Sequence, residues 1–243
     1  MGSINLHNVC LNLDGNTIFD NLNESFPEGK VYLLIGPSGS GKTSLLKVIS
    51  GLWPVNSGII KFGDDDILEY SKAQMLELHK RSGFVFQNAA LISNMSVFEN
   101  LSLFYHYHTD MSDEEITEKI SICLDALGCC FNLSQRPNSL STGQRMMVSI
   151  ARAISHDPDY IFLDEPVANL DTGSAKRVRD IINSLKKRGK TIIMVTHDLS
   201  FGFSVADKIG VLAYGKIIES GSRSEITDSS NKITRTILAR DYE

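Results

Sequence analysis

A glycine-rich run at residues 36–43 constrains the fold of this chain more than any other feature of its sequence. The run consists of Gly36, Pro37, Ser38, Gly39, Ser40, Gly41, Lys42 and Thr43. It fits the phosphate-binding pattern G-x-x-x-x-G-K-S/T, follows the apolar run 31–35 and precedes residues 45–49, which have helical spacing. Glycines let backbone N–H groups converge on a phosphate, and a helix N-terminus adds partial positive charge. The sequence therefore predicts a strand, a phosphate loop and a helix that together bind a nucleoside triphosphate.

The predicted nucleotide contacts cover this whole loop and extend to Ser44. We expect the Lys42 ammonium to reach the β- and γ-phosphates and the Thr43 hydroxyl to be a ligand of Mg²⁺. The predicted cofactors are therefore ATP and Mg²⁺. A chance turn of glycine and serine is the alternative, and the strand and helix patterns on either side argue against it.

Length and charge narrow the possible partners. A chain of 243 residues suits one α/β domain with an insertion, or two small subdomains. The formal net charge of −5 argues against a nucleic-acid partner, because such proteins usually carry a basic surplus. The sequence has neither an apolar stretch of the roughly 20 residues that span a bilayer nor a secretory signal at its start. We therefore expect a protein that is soluble, or that reaches a membrane through a partner.

Two kinds of strand pattern occur in the chain. Residues 4–13 alternate apolar and polar side chains, and an extended pattern resumes at 17–26 after a turn, so that an N-terminal antiparallel β subdomain is expected. Residues 160–163 and 191–195 are entirely apolar, which predicts strands covered on both faces in a mainly parallel sheet.

A helical insertion interrupts this α/β core. Helix-start patterns begin at Ser112 and Ser141, each with an acidic or amide residue three positions later. We expect a single domain in which residues 1–87 and 157–243 form the nucleotide-binding core and residues 88–156 form the helical subdomain.

Two carboxylates end the apolar strand at residues 160–163. Asp164 is placed to hold Mg²⁺ through water beside Thr43, and Glu165 to act as the general base on the water that attacks the γ-phosphate. The alternative is that the pair forms the N-cap and first turn of a helix. Pro166 and the apolar strand argue against that alternative.

The pentapeptide at residues 140–144, Leu-Ser-Thr-Gly-Gln, predicts a second anion-binding helix start. Because the loop at 36–43 already forms a complete phosphate site, this second start most economically serves a nucleotide that another subunit holds. An ordinary capping box is the alternative, and the position some twenty residues before the Asp164 strand end favours the nucleotide role.

These motifs and three others resemble those of ATP-binding-cassette (ABC) ATPases over nearly the whole chain. Residues 140–144 are similar to the family signature L-S-G-G-Q, with Thr142 in place of its first glycine. Gln87 matches the glutamine loop that senses Mg²⁺ and the γ-phosphate, and Asn-Leu-Asp at 169–171 matches the D-loop at the dimer interface. His197 matches the switch histidine that hydrogen-bonds the γ-phosphate, although such a histidine alone would more often be structural.

The resemblance implies a RecA-like P-loop NTPase core and a dimer of two copies that enclose two ATP molecules head to tail. Each ATP would lie between the phosphate loop of one copy and the signature of the other. The signature contacts expected on this basis are Ser141, Thr142, Gly143 and Gln144. The expected catalytic residues are Glu165, His197 and Gln87, and the expected metal ligands are Thr43, Gln87 and Asp164.

Two positions depart from the family pattern. Leu13 stands where an aromatic residue usually stacks on adenine, so that apolar contact would replace stacking. Thr142 keeps its backbone N–H but adds a β-branched side chain beside the γ-phosphate, which could slow closure or hydrolysis.

The segment Asn88–Leu103 would line the groove that receives a transmembrane permease. Its Ala90-Leu91 pair and its continuation at 95–100 resemble Mla/Mce-type ATPases, which drive lipid movement across the bacterial envelope, and residues 220–222 of the tail are similar too. The resemblance implies phospholipid or another lipid as cargo, an Mce-type substrate-binding partner and a peripheral location on the cytoplasmic face of the bacterial inner membrane. The alternative is the ATPase of an importer for polar solutes such as amino acids.

Other classes explain less of the sequence. A P-loop kinase or GTPase leaves residues 140–144 and His197 without a role, and a chromosome-organising ATPase would need a long coiled-coil insertion that the chain lacks. His106-Tyr107-His108 suggests a metal site, but a surface helix is the favoured interpretation, because the pattern lacks further ligands nearby.

Overall fold

The computed structural model describes residues 2–239 of the chain. Its strands are β1 Ile4–Leu13, β2 Asn16–Phe26, β3 Val31–Ile35, β4 Ser57–Phe62, β5 Asp65–Asp66, β6 Ser82–Val85, β7 Tyr160–Asp164, β8 Thr191–Val195, β9 Lys208–Ala213 and β10 Lys216–Gly221. Its α-helices are α1 Lys42–Ile49, α2 Lys72–Lys80, α3 Val97–His108, α4 Asp113–Ala126, α5 Thr142–Ile154, α6 Thr172–Lys187, α7 Leu199–Val205, α8 Arg223–Thr227 and α9 Lys232–Ala239. Single 3₁₀ turns occur at Ile67–Glu69 and Pro137–Ser139.

The larger sheet is mainly parallel, as the apolar strand runs predict. Its strand order is β10-β9-β3-β8-β7-β6, and within this sheet, as far as residues 2–239 are described, only the β9–β10 pairing is antiparallel. Every residue of β3, β7 and β8 is buried, because α1 and the smaller sheet cover one face of these strands and other helices cover the opposite face. Apolar side chains on both faces of these strands therefore build the core.

The smaller sheet is antiparallel and has the order β2-β1-β4-β5. Buried residues of this sheet such as Phe19 and Phe26 pack with Leu45 and Leu46 of α1 and with Tyr32 of β3 in one cluster. This sheet thereby lies against the helix that follows the glycine-rich loop. The expected fold class, a P-loop NTPase core with an antiparallel β part and helical insertions, is confirmed.

The helical insertion packs directly onto the parallel sheet. Val97 of α3, Ile116 of α4 and Ile150 of α5 belong to the same hydrophobic cluster as Val31 and Ile161 of the strands. The division of the chain at residues 87 and 157 stays a prediction, since the two parts share this core.

Helix starts are capped as the sequence predicts. The Ser112 and Ser141 hydroxyls each accept a hydrogen bond from the backbone N–H three residues later, and the side-chain oxygens of Glu115 and Gln144 accept one from the backbone N–H of the cap residue. Helix α2, which was not predicted from the sequence, also starts with a capping box, at Ser71 and Gln74. In residues 2–239, no helix combines the length and the apolar character that crossing a bilayer requires.

Candidate nucleotide-binding site

Four neighbouring parallel strands deliver the predicted site residues to one edge of the sheet. The loop at 36–41 follows β3, Gln87 follows β6, Glu165 follows β7 and His197 follows β8. These strands are adjacent in the order β3-β8-β7-β6 and all run in the same direction. Their carboxyl ends therefore lie side by side, which is where open α/β sheets bind ligands.

The glycine-rich loop has a backbone that side chains would obstruct. A Cβ atom on Gly36 would lie 2.1 Å from the carbonyl oxygen of Leu212 on β9. Gly41, the residue before α1, is left-handed with φ 96°, and no side chain caps the helix there. The loop thus turns tightly against β9 and leaves the first N–H groups of α1 open to an anion.

Lys42 lies back over this loop. Its Nζ donates to the carbonyl oxygens of Gly36 and Pro37 at 2.8 and 3.0 Å. Burial lowers the pKa of Lys42, and the nearby carboxylates of Glu165 and Asp164 oppose that shift. The ammonium therefore has an environment that a triphosphate, with its higher negative charge, would stabilise further.

Thr43 and Asp164 are brought together although they are 121 residues apart in sequence. The Thr43 hydroxyl donates to Oδ1 of Asp164 at 3.0 Å. The Asp164 side chain is buried at the end of β7, and burial raises its pKa. This hydroxyl and carboxylate form the oxygen-rich pair that the sequence predicts beside the phosphate loop.

Glu165 and His197 form the second polar pair of the site. Glu165 is left-handed with φ 53°, only 6% exposed, and its Oε2 accepts the backbone N–H of His197 at 3.1 Å. Nε2 of His197 lies 3.4 Å from Oε1 of the same carboxylate. Burial raises the pKa of Glu165, and His197 opposes the rise. The His197 ring is mostly exposed, so it can face a ligand.

The alternative for the two carboxylates, a helix start, is wrong. After β7 ends at Asp164 the chain turns, and the next helix begins only at Thr172 with Asp171 as its cap. The left-handed backbone at Glu165 is incompatible with a helical first turn.

Gln87 is exposed and precedes an unusual backbone segment. Ala89 and Ala90 are both left-handed, with φ 63° and 45°. Their carbonyl oxygens accept hydrogen bonds from the Arg152 guanidinium at 3.2 and 3.0 Å. Sequence reasoning missed Arg152, and no local signal marks it, since 62 residues separate it from Ala90.

The signature residues lie apart from the phosphate loop. Ser141 caps α5, and Arg145 fastens the turn by donating to the carbonyl oxygen of Leu140 at 2.9 Å and to the Thr142 hydroxyl at 3.1 Å. The residues Ser141, Thr142, Gly143 and Gln144 line a cavity of about 470 Å³ together with Asn169 and Asp171 of the predicted D-loop. The phosphate loop lines a different cavity, of about 130 Å³, with Thr196 and His197.

The smaller sheet contacts the phosphate loop through residues that the sequence did not suggest. A Cβ atom on Gly41 would lie 2.9 Å from the Phe19 ring and 3.1 Å from Ile18. Leu13, the predicted base contact, is half-buried at the end of β1 and packs against the hydrophobic cluster that joins the smaller sheet to α1. A role for Leu13 at the base stays a prediction.

This fold and this edge of polar residues define a P-loop NTPase. The chain belongs to the ABC transporter family, whose model matches residues 19–168. It is therefore an ATP-binding and ATP-hydrolysing subunit of the kind that serves ABC transporters, as the sequence predicts.

Relatives of known function support the assignment. The intermembrane phospholipid transport ATP-binding protein MlaF of Haemophilus influenzae is 33% identical over 94% of this chain and 87% of its own. The glucose import ATP-binding protein GlcV of Saccharolobus solfataricus is 34% identical over 86% of this chain and 60% of its own. Among solved structures, the dimeric ABC cassette MJ0796 bound to ADP and Pi superposes with a TM-score of 0.84 at 27% identity, over 90% of this chain and 98% of the other.

Proposed function

We propose that this ATPase works as a head-to-tail dimer of two copies, with each ATP held between the phosphate loop of one copy and the signature of the other. The observation that carries the proposal is the separation of the two loops, which line different cavities within one copy. The solved structures of MJ0796 are dimeric, which supports a dimer of this chain. A nucleotide would then have contacts in the closed dimer that a single copy lacks, so that ATP favours closure.

The residues of one copy divide the hydrolysis step between them. The Glu165 carboxylate takes the proton from the water that attacks the γ-phosphorus, because its Oε1 is buried and accepts no hydrogen bond from another described residue, although His197 lies 3.4 Å away. His197 donates to a γ-phosphate oxygen through its exposed ring. Lys42 exchanges its bonds to Gly36 and Pro37 for the β- and γ-phosphates.

The oxygen pair at Thr43 and Asp164 fits a magnesium site. A hydroxyl and a carboxylate 3.0 Å apart are hard oxygen donors, which Mg²⁺ prefers, and Gln87, which follows the neighbouring strand β6, would add an amide oxygen. When bound, Mg²⁺ neutralises charge on the β- and γ-phosphates. Thr43 and Asp164, which hydrogen-bond to each other in the structure, would be the residues that hold the ion.

The segment Asn88–Leu103 is the proposed docking site for permease subunits. The buried Asn100 side chain holds it in shape through bonds to the backbone N–H and C=O of Ile92 at 2.8 and 3.1 Å. Ile92 itself is 39% exposed. A loop that is held in shape and displays an apolar side chain five residues after Gln87 suits a partner whose motion follows the nucleotide.

Phospholipid, or another lipid of the bacterial envelope, is the proposed cargo. The MlaF proteins of Haemophilus influenzae and Escherichia coli match this chain over 87% and 88% of their own lengths, whereas the importers GlcV and CysA 2 match over 60% and 64% of theirs. The proposal places the chain on the cytoplasmic face of the inner membrane, with an Mce-type substrate-binding protein in the complex. An importer of polar solutes is the second candidate, since a methionine import ATPase, MetN, is 32% identical.

Two experiments test these proposals. Glu165→Gln should bind ATP, fail to hydrolyse it and accumulate as a nucleotide-loaded dimer in analytical ultracentrifugation. Normal hydrolysis by this variant would show that Glu165 is not the general base.

Purification from native membranes, with mass spectrometry of co-purifying proteins and lipids, tests the cargo. Phospholipid and an Mce-type protein support the lipid system, whereas a soluble solute-binding partner supports the importer.

A further inference from the structure

Arg152 occupies an unusual position for a cation. It lies in the last turn of α5 and is partly buried, and within the described residues 2–239 its guanidinium bonds only to backbone carbonyl oxygens, those of Ala89 and Ala90. Burial lowers its pKa, and no carboxylate among residues 2–239 forms an ion pair with it. A buried charge without a counter-ion is unfavourable for folding alone, so its position calls for a functional explanation.

The two carbonyls belong to a strained turn. Ala89 and Ala90 are consecutive left-handed residues that are not glycine, a conformation that the surrounding structure has to enforce. The planar guanidinium reaches both carbonyls at once with two nitrogens. Because the strained pair begins two residues after Gln87, Arg152 fixes the backbone on which the Gln87 side chain depends.

The opposite end of α5 is the signature. The helix has 13 residues and spans about 20 Å from Thr142 to Ile154. Residues 146–151 are buried, so that the helix moves as one body with its neighbours. A single rigid element thus carries the signature at its first turn and the anchor of the glutamine loop at its last.

We propose that Arg152 is a positioning residue that couples the two ATP sites of the dimer, by holding the glutamine loop of one site to the helix whose signature binds ATP at the other. This inference rests on the proposed dimer and deepens it. Binding of ATP against Ser141 and Thr142 shifts or fixes α5, and Arg152 passes that displacement to Ala89 and Ala90. Gln87 is then brought into place at its own site, which makes hydrolysis cooperative in ATP.

The test compares two substitutions of Arg152 with a matched arginine elsewhere. Arg152→Gln replaces the guanidinium with a shorter, neutral amide, and Arg152→Lys keeps the positive charge on a single nitrogen. Arg188→Gln is the matched control, because Arg188 is an exposed arginine of the core that pairs with Asp157. For each full-length protein, the measurements are kcat, KM for Mg-ATP, the Hill coefficient, and the affinity of the monomer for a fluorescent ATP analogue. Thermal unfolding shows whether each variant is folded.

We expect Arg152→Gln to lower kcat at least about tenfold and to bring the Hill coefficient to about 1, with the monomer's affinity within about twofold of the unchanged protein. Arg152→Lys should recover part of kcat and of the cooperativity. Arg188→Gln should keep both. Unchanged cooperativity in a folded Arg152→Gln protein overturns the inference, as does a Hill coefficient of 1 in the unchanged protein.

A second set of variants remains informative if Arg152→Gln unfolds. Glycine at positions 89 and 90 adopts the left-handed backbone without strain. In an Ala89→Gly, Ala90→Gly background, Arg152→Gln should therefore lower kcat by less than about threefold. An undiminished loss in that background contradicts the positioning role. Failure of Glu165→Gln to dimerise with ATP would instead refute the proposed dimer, so the two failures are distinguishable.

Discussion

The two helix starts that the sequence assigns to phosphate binding are built in opposite ways. Helix α1 begins after the left-handed Gly41 without a side-chain cap, beside the buried Lys42 and Asp164. Helix α5 begins at the exposed Ser141, whose hydroxyl accepts the N–H of Gln144 in a complete capping box. At α1 the backbone N–H donors of the first turn and the Lys42 ammonium are available to a ligand. At α5 the capping box already occupies part of the backbone N–H donors.

This difference explains why one start can hold a nucleotide and the other can only complete it. An anion at α1 can accept hydrogen bonds from several backbone N–H groups and from the Lys42 ammonium. An anion at α5 can accept only from those N–H groups that the capping box leaves free, at the rim of a cavity. The signature therefore suits a triphosphate that is already bound by another copy. Substitutions at the two helix starts should therefore affect ATP binding and ATP turnover differently.

The largest effect is expected at the signature. Ser141→Arg should lower ATP turnover at least about 100-fold, because the long side chain blocks closure onto the partner's nucleotide. The monomer's affinity for a fluorescent ATP analogue should stay unchanged. A weakened monomer affinity would mean that Ser141 contacts nucleotide within its own copy, and circular dichroism controls for the loss of the helix cap, worth about 1 kcal/mol.

At the phosphate loop the expected pattern is reversed. Lys42→Ala should weaken ATP binding to the monomer by about 10- to 100-fold, since a charge-assisted contact to the phosphates is lost. Equilibrium titration with the same fluorescent analogue measures the change. Lys47→Ala removes a half-buried lysine of the same helix whose ammonium lies over the Trp53 ring; it is the matched control and should bind normally. Equal weakening by both variants would argue against a specific role for Lys42.

The smallest effect concerns stability and pH. Burial raises the pKa of Glu165 in the folded protein, so the folded state holds its proton to higher pH than the unfolded state does. The carboxylate therefore destabilises the fold above its usual titration range, and this penalty disappears as the pH falls below that range. Glu165→Gln should raise Tm at pH 8 by about 2–4 °C for each kcal/mol of penalty removed.

Differential scanning fluorimetry without nucleotide measures the difference in Tm between Glu165→Gln and the unchanged protein. A series from pH 4 to pH 8 covers about four pH units, enough to span the titration of a carboxyl group. The gap in Tm should narrow steadily toward pH 4. A gap that does not depend on pH would show that Glu165 is not strained by burial in the folded state.

Much of the site could be predicted because its signals are local. The glycine pattern at 36–43, the capping boxes and the apolar strand before Asp164 each depend on neighbours in sequence, and the structure confirms the elements they predict. Helix α2 was missed although its Ser71 capping box is equally local. The Ser71–Gln74 pattern was sufficient to predict the start of α2.

By itself, the sequence determined the phosphate loop, the mainly parallel core and the kind of chemistry at each motif, because backbone propensity and side-chain type act over a few residues. Only the tertiary structure decided which motifs meet. Thr43 reaches Asp164 across 121 residues and Arg152 reaches Ala89 across 63, and both contacts depend on how the strands and helices pack. No local pattern predicts the left-handed Ala89 and Ala90, because a contact from a distant helix, rather than the residue type, holds them there.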